Sequence, residues 1–361
     1  MGSADATLRP GTTEVLIVDP EIPDPAAIAR AAAIVRAGGL VAFPTETVYG
    51  LGANALDAAA VRRVFEAKGR PAEDPLIVHL AAAEGLDRVA GEVPGLARRL
   101  AEAFWPGPLT LVLPKRPAVP AEVTAGLPTV AVRVPAHPVA LALIRAADVP
   151  VAAPSANRFG RASPTSAQHV LDDLEGRVDL VLDAGPTAVG VESTVLDLTR
   201  NPPTILRPGG VAREAIERVA GRVAVAELSL RDPAGAPSPG LLASHYAVTP
   251  ELIVVECPTA VATASALARI AELARAERER GRRVGVILAE EDPVDLPPEV
   301  EARRIGSAED LAAVARGLFA AMRELEALGV DVILARTFGA QGLGLAIRDR
   351  LRRAATRLLP G

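Results

Sequence analysis

Apolar residues in the first two thirds of this chain fall into short unbroken runs, and several of the runs end in a knot of polar residues. Residues 26–37 place alanine, isoleucine and valine at helical spacing and stop at Gly38-Gly39, which predicts a helix ended by glycine. A continuous apolar run at 40–43 follows and reads as a buried strand. Asp57 stands where an N-cap belongs, starting a helix through Glu66 that delivers Lys68 at its C-terminal end. Further runs predict strands at 76–80, 109–113, 130–134, 149–152, 180–182 and 194–198, with helices at about 138–147 and 165–174 between some of them. The two kinds of element mix irregularly. The pattern therefore predicts a twisted mixed sheet with flanking helices, an α/β fold that is not regularly doubly wound.

The rhythm changes between Arg231 and Pro250. Asp232-Pro-Ala-Gly-Ala-Pro-Ser-Pro-Gly240 is a linker by composition. Beyond it come a strand at 252–256, a helix at about 261–281, a strand at 284–288, a helix at about 308–328, a strand at 330–335 and a helix at about 345–358. That alternation predicts a smaller parallel, Rossmann-like domain. The expected organisation is a first α/β domain over 15–230, a linker over 231–250, and a C-terminal α/β domain over 251–361. The length of 361 residues suits two domains better than one.

Half the residues are apolar, which fits buried cores and excludes a largely disordered chain. A formal charge of -5 gives no general attraction for polyanions, so a nucleotide must bind at a local cluster of positive charge. One cysteine, Cys257, excludes a disulfide framework and a cysteine zinc site. No apolar run reaches membrane-spanning length and the N-terminus lacks the features of a signal peptide, so the expected location is the cytoplasm.

Within this arginine-rich chain only two basic residues are lysines, Lys68 and Lys115. Lys68 lies in Lys68-Gly69-Arg70-Pro71, where a compact ammonium beside a guanidinium suits phosphate oxygens; a solvated lysine closing a helix is the alternative. Asp74 and His79 follow just beyond, and His79 reads as a partly buried histidine that touches a ligand at most. Pro44-Thr-Glu-Thr-Val-Tyr-Gly-Leu-Gly52 packs two hydroxyls, a carboxylate and two glycines at a strand exit, like the lip of a cleft. Arg133 sits in an otherwise apolar strand that begins at Thr129. It needs an anion there, either an internal carboxylate or the carboxylate of a substrate. Pro154-Ser-Ala-Asn157 and Ser163-Pro-Thr-Ser166 precede a helix with hydroxyls and amides that would face an anion. Glu192-Ser193-Thr194 and Leu206-Arg207-Pro208-Gly209 add further polar groups. No Ser/His/Asp triad, no Walker loop and no dinucleotide fingerprint after the first strand is present, and Gly339, Gly342 and Gly344 read as a tight turn.

Taken in order, Pro44–Gly52, Lys68–Pro71, Trp105-Pro-Gly-Pro-Leu-Thr110, Val132–Pro135, Pro154–Asn157 and Leu206-Arg-Pro-Gly-Gly210 resemble the YrdC domain. Ser238-Pro-Gly240, His245-Tyr246 and the small α/β domain after them resemble the two-domain form of the threonylcarbamoyl-AMP synthase family. The linker departs from that pattern with Val248 in place of a proline, and with Leu241-Leu242-Ala243 where the family tends to carry a basic residue. The resemblance implies condensation of L-threonine, bicarbonate (or CO2) and ATP to the adenylate, with pyrophosphate released and magnesium accompanying ATP. It also implies that the product feeds a tRNA threonylcarbamoyltransferase machinery that forms N6-threonylcarbamoyladenosine at position 37 of tRNAs reading codons that begin with A.

Carried over by position, Thr47, His79, Arg133 and Ser193 would line the threonine pocket. Lys68 and Arg70 would hold phosphates. Asp74, Thr129, Ser155, Asn157, Ser163 and Arg207 would surround the nucleotide, and Tyr246 would close over it. No protein cage for magnesium is legible, which suits an ion held by phosphates and water. Two other readings compete. YrdC-like domains also occur in carbamoyl-transferring hydrogenase maturation proteins, but those carry zinc-finger cysteines and this chain has a single cysteine. A non-catalytic RNA-binding module is poorly served by a net acidic, aromatic-poor chain.

Overall fold

A computed structural model describes residues 12–226, 246–257 and 262–360. The N-terminal sheet has eleven strands: β1 (Glu14–Ile17), β2 (Val41–Phe43), β3 (Gly50–Asn54), β4 (Ile77–His79), β5 (Leu109–Pro114), β6 (Thr129–Arg133), β7 (Val151–Ala152), β8 (Leu180–Asp183), β9 (Thr194–Asp197), β10 (Thr204–Arg207) and β11 (Ala224–Val225). Their order is β1-β8-β2-β3-β7-β4-β6-β5-β9-β10-β11, with parallel and antiparallel pairs mixed as the irregular sequence pattern predicted.

Both faces are covered. Helix Pro25–Arg36 starts at the Asp24 side chain, which accepts from the Ala26 amide. It buries Ala27, Ile28, Ala31, Ala32 and Val35 with helix Pro138–Ala147 against one face of the sheet. Helix Ala58–Lys68 is capped by Asp57 and ends at Gly69 in the left-handed conformation. It packs on the opposite face together with helices Gly95–Phe104, Ala167–Leu174 and Arg213–Ala220.

The second sheet comprises β12 (Glu251–Glu256), β13 (Val284–Leu288), β14 (Glu301–Arg304), β15 (Val332–Arg336) and β16 (Arg357–Pro360). All its pairs are parallel, in the order β14-β13-β15-β12-β16. Alternation along β12 sends Ile253 and Val255 toward helix Ala262–Glu279, and Leu252 and Val254 toward helices Leu311–Ala327 and Gly344–Ala354. The latter core also takes in Ala162, Val191 and Tyr246. The two halves are thus packed through shared apolar residues as well as polar ones. Arg323 reaches the Ala162 carbonyl and Asp173, and Arg161 pairs with Glu326 at 2.7 Å.

Several elements escape the sequence pattern. β3 reads as a polar, glycine-rich turn, yet it pairs antiparallel with β2. Its Gly52 faces Phe43 and Val151 so closely that a Cβ would sit 2.7 Å from the Phe43 ring and 2.9 Å from Val151. The last helix stops at Ala354, and the chain then forms the edge strand β16 where helix was expected. The linker residues 231–245, including Ser238-Pro-Gly240 and His245, lie outside the described residues.

Candidate active site

Five strand ends build the site. β4 and β6 run parallel with His79 opposite Arg133, so an imidazole and a guanidinium leave the sheet side by side. The chain leaving β2 turns through Thr45–Thr47 and re-enters as β3, with Gly50 bridging Ser155. The segment entering β9 brings Glu192 and Ser193 from the other side, and β10 ends at Arg207. Gly209 is required there: a Cβ would lie 2.3 Å from the Glu192 carbonyl oxygen.

These pieces line a partly open cavity of about 50 Å³. Thr47, Arg70, His79, Arg133, Ser155, Ser193, Arg207 and Tyr246 line it, all anticipated from sequence, together with Thr45, Val48, Gly50 and Glu192. Such a volume holds a few waters and no nucleotide. Tyr246, 3 % exposed and in the left-handed backbone region at φ +68, closes it. Ala247 holds that residue down, exchanging backbone hydrogen bonds with Gly160 and Ala162. A larger cavity of about 780 Å³ lies at the carboxyl ends of the C-terminal strands and contains none of the anticipated residues.

The cations of the site are all buried and all partnered. Arg133 donates to Thr47 Oγ1 at 3.0 Å and to the Gly107 carbonyl at 3.2 Å, and its Nη2 lies 2.6 Å from Glu46 Oε1. That last contact is out of line for a hydrogen bond. The internal carboxylate is therefore present, yet one guanidinium N–H has no aligned acceptor. Arg70 pairs with Asp74 at 2.9 Å and donates to the Asp74 and Pro75 carbonyls. Arg207 grips Ser193 through its carbonyl at 3.0 Å and its hydroxyl at 3.2 Å, while Ser193 also shares a hydrogen bond with Thr110. His79 sits with Nδ1 at 3.2 Å from the Ile77 carbonyl. Burial, reinforced by Arg133, pushes its pKa down to about 3, so the ring is neutral at physiological pH.

Other anticipated residues stand outside the cavity. Lys68 directs its amine onto the Ser155 and Asn157 carbonyls, and burial, with Arg70 beside it, holds its pKa well below the usual lysine value. Asp74 faces Arg70. Thr129 stands at the opposite end of β6 from Arg133, roughly 13 Å away at the usual strand rise. Asn157 donates to the Arg158 and Arg161 carbonyls, and its Oδ1 accepts from no described residue. Ser163 donates to Glu192. The sequence had marked Glu192 only as part of a polar cluster. What it could not show is that Arg350, from the second domain, pairs with it at 2.7 Å.

Comparison with known proteins matches this arrangement to a family. A model of the Sua5/YciO/YrdC domain, described as telomere recombination, matches residues 33–209, and one described as the C-terminal domain of threonylcarbamoyl-AMP synthase matches residues 211–356. The threonylcarbamoyl-AMP synthase of Pyrococcus abyssi is 50% identical over 326 residues, covering 90% of this chain and 93% of that protein. The chain belongs to the threonylcarbamoyl-AMP synthase family. The Bacillus subtilis member is 46% identical over 346 residues, 95% of each chain. The crystal structure of P. abyssi Sua5 complexed with L-threonine superposes with a TM-score of 0.90 at 47% identity, covering 97% of this chain and 100% of that one. Membership makes the chain an enzyme of the YrdC-like fold. No helix among its described residues is long and apolar enough to cross a membrane.

Proposed function

We propose that this protein is a threonylcarbamoyl-AMP synthase, a nucleotidyltransferase acting on L-threonine, bicarbonate or CO2, and ATP. The observation that carries the reading is the paired exit of His79 and Arg133 beside Thr47, a neutral ring and a buried guanidinium with an unaligned N–H in the wall of a small cavity. Such a pocket suits a small amino acid whose carboxylate takes the guanidinium. The P. abyssi relative that shares the fold binds L-threonine.

The chemistry follows from that placement. The threonine amine and bicarbonate combine to a carbamate with loss of water. A carbamate oxygen then attacks the α-phosphorus of ATP and pyrophosphate leaves. Charge on the phosphates is met by Arg70 and Arg207, and by Lys68 once its amine leaves the two carbonyls it holds, so catalysis consists of positioning and neutralisation. Ser155, Asn157 and Ser163 lie near enough to Tyr246 and Lys68 to complete a nucleotide site, whereas Asp74 acts through Arg70 and Thr129 is remote. Tyr246 over the cavity would exclude water from the labile adenylate.

Magnesium would enter with ATP. Among the described residues no group of three acidic, histidine or cysteine side chains is placed to hold a metal. Phosphates and water would therefore hold the ion, and none of the steps above is routed through protein–metal bonds. The product would pass in the cytoplasm to a tRNA threonylcarbamoyltransferase for N6-threonylcarbamoyladenosine formation.

Pyrophosphate release by the purified full-length protein tests the reading. Release should require threonine and bicarbonate together and no RNA, with threonylcarbamoyl-AMP visible by mass spectrometry. Release that ignores threonine, or appears only with RNA, would refute it.

A further inference from the structure

One fully buried charge belongs to the second domain but serves the first. Arg350, six residues into helix Gly344–Ala354, is fully buried. Its Nε lies 2.7 Å from Glu192 Oε2, its Nη2 donates to the Pro208 carbonyl at 2.9 Å, and its Nη1 pairs with Asp349 at 2.5 Å. The guanidinium also lies 5.1 Å from the Tyr246 ring centroid. Glu192 faces the cavity next to Ser193, and its other oxygen accepts from Ser163. A buried carboxylate at the wall of a site for a polyphosphate repels its ligand unless a fixed cation cancels it. Burial works to raise the Glu192 carboxyl, and Arg350 foremost, then Arg207, bring it below its ordinary value. Arg207 holds the Ser193 carbonyl and hydroxyl. It is the other cation acting on Glu192, and without Arg350 its turning toward that carboxylate would release Ser193.

We propose that Arg350 is a positioning residue through which the C-terminal domain completes the active site: it neutralises Glu192 and so keeps Arg207 on Ser193 and facing the nucleotide. The proposal rests on the synthase reading above and deepens it, by giving the second domain a charge to supply in addition to a cover.

The test uses full-length wild type, Arg350→Met, Arg350→Lys, Glu192→Gln and the Glu192→Gln/Arg350→Met double variant, read by pyrophosphate release at varied ATP and by thermal unfolding. Arg350→Met should lower kcat/KM for ATP by roughly tenfold or more, because it leaves a buried carboxylate uncompensated. The double variant should return to within about threefold of Glu192→Gln alone, since the charge that needed compensation is gone. Losses that multiply would show that the two residues act independently, and that result overturns the proposal, as does wild-type kcat/KM for ATP in a folded Arg350→Met protein; a purely structural pair shows its rescue in thermal unfolding and leaves kcat/KM for ATP unmoved. If Arg350→Met does not fold, Arg350→Lys decides. It keeps the charge the proposal requires, so a folded Arg350→Lys protein should stay within about threefold of wild type in kcat/KM for ATP, and a tenfold loss there overturns the role. A wild-type protein that releases no pyrophosphate would sink the synthase reading itself, whereas an active wild type with an indifferent Arg350 sinks only this inference.

Discussion

Gly190 offers a direct test of whether the two domains act as one unit. It has φ +79, and a Cβ there would sit 2.4 Å from Arg316 Cα and 2.6 Å from the Ala315 carbonyl oxygen, both backbone atoms of helix Leu311–Ala327 in the second domain. The same loop is tied to the site. The Gly190 amide donates to the Thr47 carbonyl at 3.0 Å and the Val189 amide to the Glu46 carbonyl at 2.7 Å. Gly190→Ala therefore meets two costs. The left-handed conformation with a Cβ costs about 1 kcal/mol, and overpacking against a backbone that cannot rotate aside adds about 1–3 kcal/mol. Gly281→Ala isolates the second, because Gly281 has φ +77 and nothing within 4 Å of its Cβ. Urea unfolding should place Gly190→Ala about 1–3 kcal/mol below Gly281→Ala. Alternatively the interface yields, and stability is kept while Thr47 and Glu192 shift and pyrophosphate release falls. Equal stability and equal activity in the two variants would refute the idea that helix Leu311–Ala327 is seated on the catalytic loop.

Three other outcomes follow from the geometry. Arg133→Met breaks a buried pair and should cost about 3–5 kcal/mol, which Arg133→Met/Glu46→Gln recovers in urea unfolding without restoring the threonine affinity that calorimetry should find reduced at least tenfold; undiminished affinity removes Arg133 from the threonine site. Lys68→Met leaves the Ser155 and Asn157 carbonyls without their donor, so a loss of about 2 kcal/mol or more should accompany the loss of adenylate formation; an unchanged urea midpoint would show that the amine serves ligand alone. His79 is neutral in the native state down to about pH 3, while an unfolded histidine takes its proton near pH 6.5. Its contribution to stability is thus complete above pH 6.5 and drains away as pH falls toward 3, at about 1.4 kcal/mol per pH unit. His79→Asn should lose about 2 kcal/mol less than wild type between pH 7 and pH 5, and parallel pH dependences would contradict the burial argument.

The strands that bury both faces were plain in the sequence because unbroken apolar runs have few other uses, as in Leu109–Leu113 and Val284–Leu288. β3 was not, because Gly50 and Gly52 are weak strand formers kept for close packing on Phe43, Val151 and Ala153. The site residues that the sequence announced share one property. Each is a polar group beside an apolar run, like Arg133 at the end of β6, where burial without a partner is costly. Residues serving the site at second hand carry no such mark. Glu192 looked like part of a polar turn and Arg350 like one more arginine on a basic helix, since Arg348, Arg352 and Arg353 surround it. Only the folded chain shows that Arg350 is the one without exposure.

The partners already held by the site's arginines also bear on how ligands enter. Arg70, Arg133 and Arg207 already hold Asp74, Glu46 with Thr47, and Ser193 respectively. An incoming carboxylate or phosphate therefore gains only the difference between its own bonds and those it displaces, and that difference is small where the existing partner is well aligned. Arg133 is the exception: its Nη2, close to Glu46 but out of line, has no hydrogen-bond acceptor, whereas the Arg70 Nη2 that meets Asp74 also donates to the Pro75 carbonyl. A threonine carboxylate gains most there, so the amino acid is bound with the least rearrangement. If the proposed function holds, ATP would require Tyr246 to lift and Lys68 to exchange two carbonyls for phosphate. The geometry therefore favours threonine before nucleotide. Isothermal titration should detect threonine binding without ATP, and tight ATP binding that is indifferent to threonine would contradict this order.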